Sequence, residues 1–438
     1  MLLFLNVVVA GYAVRKRCFL RDGLEFNHVL TFTIGFLVYW ILPIAFGLFG
    51  ILRGNAAIDL WYSIFDRVSN GKLTEYLVIT LLIYLAFLGG DSIGRAIAQV
   101  KGSAYRPLFF YKRLLDMPLL VGCILAAAYT FALRGQLFRG YNLISLAEAA
   151  DLNRGSFTAV SVFLLGLAFI YTLKRQEDSE NTLTFWKLIC NRYFAIYLIC
   201  SILVLSLGGR LYLVSSIVML LVYTTRYFRP LPVKRAAMLS IIGFIIFGTL
   251  GIIRQTNDLS ANKFLVNVMA EPMYTSFSLV YYLGHNDFEL INFPVFLLSQ
   301  FLNLVPTAIF PQKADMMLDP EQFGYTIFSP LGALNSFFSF MINFGVVGTM
   351  LAIGTFGVLM SYLRKRDANM LYRVFYITFC GWMGFTFFRD PFFISVVKTM
   401  FEFSFAVPLF LVLAAQMLSI TLRAFTRRPA QAPEPMAS

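Results

Sequence analysis

Charge is what this sequence has least of. Only 13% of its 438 residues are Asp, Glu, Lys or Arg, where soluble domains carry about 25%; 59% are hydrophobic and the mean hydropathy is +0.73. A water-soluble fold is excluded. Histidine occurs twice, at His28 and His285. The five cysteines include no CxxC and no Cys/His spacing suited to a metal, and Cys123, Cys200 and Cys380 fall inside apolar runs, so neither a disulfide framework nor a metal site is indicated. No Walker, Rossmann, HExxH or nucleophile-elbow pattern is present, which argues against a nucleotide-driven pump. No repeat relates the two halves, as an inverted-repeat transporter would show.

What the sequence has in quantity is apolar runs. A hydrocarbon core of about 30 Å takes roughly 17 to 25 apolar residues as a helix, and only helices or closed barrels satisfy the backbone there. The runs predict spans at 1–14, 28–51, 75–92, 116–133, 157–173, 192–208, 210–225, 236–253, 336–363, 371–388 and 393–422. The first has no basic stretch before it and no small-residue cleavage site after it, so it reads as a retained span and not a signal peptide. The expectation is an all-α polytopic membrane protein with about 11 transmembrane helices. It forms one transmembrane domain over residues 1–426, followed by a disordered tail at 427–438.

The net charge of +13 reports topology. A nucleic-acid binder concentrates its cations on a soluble face, whereas here they stand in short clusters between apolar runs: Arg15 to Arg21, Arg95 to Arg113, Lys174 to Arg192, Arg226 to Arg235, Arg364 to Arg373 and Arg423 to Arg428. These six clusters hold 24 of the 36 Lys and Arg, and all land on one side, which the positive-inside rule makes cytoplasmic. The chain then starts outside and ends inside. One connection, residues 254–335, is long and lies outside. Within it Met273 to Leu283 and Phe293 to Leu304 read as amphipathic helices lying on the outer leaflet. Gly345 and Gly348 read as small-residue contacts between helices.

Arginine should be scarce on the outer side, yet Arg210, Arg254 and Arg389 all fall at outward turns. Each alone is accounted for by snorkelling to headgroups. Together, as planar forks suited to phosphate oxygens, they point to a phosphate-bearing ligand in the outer leaflet. Lys398 and Glu402 stand four residues apart in the last span, where a neutralising intrahelical pair is the default and an extension of the arginine cluster the alternative. Acid or base candidates on the outer side are Asp258, Glu271, His285, Asp287, Glu289, Asp315, Asp319, Glu321 and Asp390, too many to separate by spacing. His285 is the one outward histidine, and Asp390 adjoins Arg389 in a constrained turn.

Four stretches, in order, carry a resemblance: Leu205 to Arg210 (LSLGGR), Gly251 to Arg254 (GIIR), Asn303 to Pro311 (NLVPTAIFP) with Ser329, Pro330 and Asn343 to Gly348 (NFGVVG), and Phe388-Arg389-Asp390 with Lys398. Together they resemble the Wzy-type oligosaccharide repeat-unit polymerases, the O-antigen and enterobacterial common antigen polymerases of bacterial envelopes. The resemblance covers roughly residues 200 to 410. The first half resembles that family only in hydropathy. Relatives often place Ser or Thr between the glycines and the arginine, which is absent here.

The resemblance implies a GT-C-like architecture in the bacterial inner membrane, with residues 254–335 as a large periplasmic loop. It also implies a glycosyltransferase that polymerises undecaprenyl-pyrophosphate-linked repeat units at the periplasmic face. Arg210, Arg254, Arg389 and Lys398 would hold the pyrophosphate, and Asp390, His285 or Glu271 would take the acceptor proton. Partners would be the lipid-linked glycan, the bilayer and a chain-length regulator. Neither cofactor nor metal is required, because the donor is already activated. A lipid-linked glycan ligase and a flippase or transporter are the alternatives.

Overall fold

Apolar runs without turn-forming residues become helices in the computed structural model. It describes residues 1–55, 58–100, 210–227, 229–255, 261–305, 310–316, 318, 320–328, 334–366, 370–392, 397, 417 and 421. The expected spans at 116–133, 157–173 and 192–208, most of the last span with Lys398 and Glu402, and the tail at 427–438 lie outside the described residues.

In chain order the elements are α1 (Leu2–Cys18), a minimal hairpin of β1 (Phe19–Leu20) and β2 (Gly23–Leu24), and α2 (His28–Gly35), which continues through a π-helical turn (Phe36–Ile41) into α3 (Leu42–Phe49). Then come α4 (Asp59–Phe65), α5 (Asn70–Val100), α6 (Arg210–Tyr227), α7 (Val233–Gln255), α8 (Ala261–His285), α9 (Val295–Gln300), α10 (Ser336–Lys365), α11 (Met370–Met383) and α12 (Thr386–Arg389). Three stretches, His28–Phe49, Asn70–Ala98 and Ser336–Lys365, are long and apolar enough to cross a membrane. The described residues therefore form a mostly helical protein of membrane type.

The longest contact is between α5 and α10, which run side by side in the same direction: Tyr76 meets Phe337 at one end, and Gly90 and Gly94 meet Gly354 and Val358 further along. Gly90 and Gly94, with Gly357 opposite, form a small-residue seam that lets the two backbones touch. Glycine serves helix packing at this seam, and likewise at Gly381 against Met219 and Ser215, but not at Gly345 and Gly348.

Gly345 instead breaks α10. Its backbone is at φ 66, ψ −170, a region open essentially to glycine, and the chain of residues 289–292 lies against the break. Val346 and Val347 N–H donate to the carbonyls of Glu289 and Leu290 at 2.9 Å, and Asn292 N–H donates to the Phe344 carbonyl at 3.2 Å. These bonds replace those that the helix loses, which is what irregular backbone inside an apolar protein requires. A Cβ at Gly345 would lie 2.8 Å from the Glu289 carbonyl oxygen. Gly345→Ala is expected to cost about 2–3 kcal/mol, read as a fall in the thermal midpoint of the purified full-length protein. Gly11→Ala, at a helical site with nothing within 4 Å, should leave that midpoint unchanged or raise it.

The long connection also differs from its expectation. Met273 to Leu283 is not an interfacial helix: it belongs to α8, whose Met273, Phe277, Leu279, Val280 and Leu283 are buried among the other helices. The apolar stretch continues into the bundle because its polar residues are satisfied: Thr275 within its own helix, Ser276 and Ser278 by other elements. Ser276 accepts the Trp61 indole N–H at 2.8 Å and Ser278 accepts the Asn335 N–H at 2.9 Å. Phe293 to Leu304 does keep an exposed apolar face at Phe293, Leu298 and Phe301.

At the basic end the arginines do more than mark topology. Asp91, fully buried, is ion-paired with Arg17 and Arg95 and takes His28 Nε2 at 2.9 Å. Glu25 pairs with Arg226 at 3.1 Å and Arg364 at 2.6 Å. His28 Nδ1 lies 3.1 Å from the Tyr376 hydroxyl. Two carboxylates thereby tie α1, α2, α5, α6, α10 and α11 together at one end.

Candidate functional site

A second cluster of charge gathers where three segments depart from regular helix and meet the start of α10. The chain leaves α11 at Gly384 and Phe385 and makes the single turn α12, after which Asp390 is extended. Phe388 packs against Gly35 and Trp40, so the Arg389–Asp390 turn lies level with the middle of the His28–Phe49 helix, roughly 15 Å of helical rise from either end. The turn stands there because α11 stops early and the aromatic residues Phe387 and Phe388 are buried in the bundle.

Facing it is α8, in which Pro272 removes a helical N–H one residue after Glu271. The π-helical turn at Phe36–Ile41 brings Tyr39 to the same level. The start of α10 joins the three. Asn335 caps α10 by accepting the Phe337 N–H at 2.9 Å, donates Nδ2 to the Tyr39 carbonyl at 3.2 Å, and gives its own N–H to Ser278. Ser336 Oγ donates to the Phe388 carbonyl at 3.0 Å. Ser339 and Asn343, on the same side of α10, accept the N–H groups of Phe392 (3.2 Å) and Leu297 (2.7 Å). A polar stripe on one helix thus satisfies backbone groups of the irregular segments around it.

At the centre Arg389 Nε lies 2.9 Å from Glu271 Oε1, and Arg389 Nη1 is 3.8 Å from Asp390 Oδ1. The three side chains keep 33, 26 and 22% of their surface, so the centre is half-buried. Burial pushes the Asp390 carboxyl from 3.8 up to about 6, Arg389 pulling it down and Glu271 pushing it further up. The folded protein therefore holds a proton that the unfolded chain gives up between pH 3.8 and about 6. The stability contributed by this group falls as pH rises through that window. Near neutral pH the group is a carboxylate of raised basicity, suited to accepting a proton.

The structure brings together Glu271, Arg389 and Asp390 of the residues singled out above. His285 is not with them: it ends α8 fourteen residues beyond Glu271, roughly 21 Å of helical rise away. There it is exposed, with Nδ1 2.9 Å from the Tyr281 carbonyl and its ring stacked on Tyr281. Arg210 opens α6 and Arg254 lies in the last turn of α7; their side chains, and all of Lys398, lie outside the described residues. Tyr39, Asn335 and Ser336 were missed. The Asn-Ser pair ahead of an apolar run is a recognisable helix start, but nothing local announces a π-helical turn.

Among the described residues no three His, Cys, Asp or Glu stand close enough to hold a metal ion. Comparison with known proteins finds no family model, no curated protein and no solved structure that matches the chain.

Proposed function

We propose that the chain polymerises undecaprenyl-pyrophosphate-linked repeat units into a surface polysaccharide at the periplasmic face of a bacterial inner membrane. The observation that carries the reading is the half-buried guanidinium held between two carboxylates where a helix breaks. In this reading Asp390 takes the proton of the acceptor hydroxyl, whose oxygen bonds to the anomeric carbon of the growing glycan. The bond from that carbon to the pyrophosphate breaks, and its electron pair leaves with the phosphate. Arg389, already paired with Glu271 and Asp390, orients the base. Arg210, Arg254 and Lys398 take the charge that develops on the leaving pyrophosphate, where preorganised cations stabilise a transition state most.

A second reading draws on one specific observation. The π-helical turn, Pro272 and the break at Gly345 interrupt helices away from their ends, as in transporters that bind substrate at discontinuous helices. Deleting the gene in its host and running surface glycan on a gel separates the two. Loss of long chains with single repeats retained is expected. Loss of all lipid-attached glycan would instead favour a flippase or a ligase. Normal ladders from each of Arg210→Lys, Arg254→Lys and Asp390→Asn would remove the proposed site.

A further inference from the structure

We propose that residues 290–301 are a membrane-docking surface, their exposed apolar side chains seated among the acyl chains of the leaflet opposite the arginine cluster. The proposal goes beyond the polymerase reading and does not depend on it.

Between Glu289 and Lys313 the chain has no charged residue, although this stretch lies in the connection between α8 and α10. Leu290, Ile291 and Phe293 keep 70, 74 and 71% of their surface, and Leu298 and Phe301 are exposed as well. A run of this kind on the surface marks a contact with lipid or protein. The polar residue among them turns the other way: Asn292 donates Nδ2 to the Tyr325 hydroxyl at 2.6 Å and its N–H to the Phe344 carbonyl at 3.2 Å. Apolar side chains point out and the amide points in, the reverse of a loop in water.

What covers this surface follows from what it joins. On α10, Val347, Leu351, Thr355 and Leu359 are exposed at steps of four, one stripe of a helix long and apolar enough to cross a membrane. Val347 N–H donates to the Leu290 carbonyl at 2.9 Å, so the exposed residues of the connection extend that stripe. Depth comes from helical rise: Arg364, paired with Glu25 at the basic end, stands seventeen residues from Val347, roughly 25 Å along a helix. The hydrocarbon core is about 30 Å thick, which puts the junction just inside its far edge. Irregular backbone there must find its partners in the protein. Glu289 and Leu290 carbonyls are taken by α10, Leu297 N–H donates to Asn343 Oδ1 at 2.7 Å, and Pro294 has no N–H. The apolar side chains are left to enter the acyl region to the depth of about 5–10 Å reached by interfacial helices. The sequence lays Phe293 to Leu304 on the leaflet as a separate helix; in the structure the apolar surface begins at Leu290 and is continuous with a span.

The test is tryptophan fluorescence of the full-length protein in nanodiscs of phosphatidylcholine with brominated acyl chains, against iodide as the quencher in water. Wild type, in which Trp40, Trp61 and Trp382 are buried, supplies the baseline. Leu351→Trp, on the spanning stripe, gives the quenching of a lipid-facing site. Phe293→Trp should lose its added emission to brominated lipid to the same extent as Leu351→Trp, and none of it to iodide. Ile291→Trp and Phe301→Trp repeat the reading at either end of the segment, and since these side chains are exposed the changes should leave folding intact. Quenching of all three by iodide and not by lipid would show that the segment stands in water and overturn the proposal. Quenching by neither would mean that protein covers the surface, which overturns it equally. Either failure leaves the glycan-ladder test of the polymerase reading as it stands.

Discussion

Gly90→Val is expected to take apart the pairing of α5 and α10. A Cβ at this position would lie 1.9 Å from the carbonyl oxygen of Gly354 and 3.1 Å from its Cα, so the obstacle is backbone and no rotamer relieves it. The two helices must separate along their whole contact, and the seam at Gly94 and Gly357, where added Cβ atoms would lie 2.4 Å and 2.5 Å from Val358 and Phe87 carbonyl oxygens, opens with them. Overpacking in a close-packed interior costs about 1–3 kcal/mol where side chains can shift; with backbone on both sides the expected loss is about 4 kcal/mol or more. The measurement is the thermal midpoint and folded yield of the full-length protein. Gly89→Val supplies the control one residue away, because nothing lies within 4 Å of a Cβ there. Similar behaviour of the two variants would show that the helices do not meet at this face.

Arg389→Gln is expected to abolish polymer formation and also to destabilise the protein. The substitution leaves Glu271, formerly 2.9 Å from the guanidinium, and Asp390 facing each other without the cation between them. Removing one partner of a fully buried pair costs about 3–5 kcal/mol; with about a quarter to a third of these side chains exposed, about 2 kcal/mol is the expected scale. Without the guanidinium that now pulls it down, the Asp390 carboxyl should hold its proton to a pH above about 6. The base would then be protonated over more of the working range, and chain extension should fall by about a hundredfold or more. Arg389→Gln combined with Glu271→Gln should recover much of the stability and none of the activity, a coupling that a double-mutant cycle reads directly. Full polymer ladders from the single variant would exclude Arg389 from the chemistry. Unchanged stability would mean that the ion pair does not form in solution.

Much of the described helical layout was legible in the chain. The runs that predict spans at 28–51, 75–92, 210–225, 236–253 and 336–363 coincide with α2 to α3, α5, α6, α7 and α10, because a helix in an apolar surrounding needs only a long enough stretch without charge, a property each segment carries by itself. Arg389 and Asp390 could be singled out for a similar reason, since a charged pair in a short apolar turn is conspicuous in one dimension. Glu271 could only be named among nine acids and bases. Its neighbours in sequence are not its partners, and what selects it is that α8 brings it to Arg389 at the end of α12. Asp91 and Glu25 were passed over because an isolated acid near a basic cluster looks solvated until the helices close over it.

The amino-acid order alone settled that this is an apolar, mostly helical protein, where along the chain the described helices fall and which connections are basic, since hydropathy and charge are summed over neighbours. Tertiary structure decided the rest. Gly345 was free to be packing or hinge until residues 289–292 lay against it. The seam of Gly90 and Gly94 gained meaning only once Gly354 was opposite, and the guanidinium of Arg389 found Glu271 only when α8 turned inward. Such partners meet through the closing of the bundle, and that information resides in no single segment.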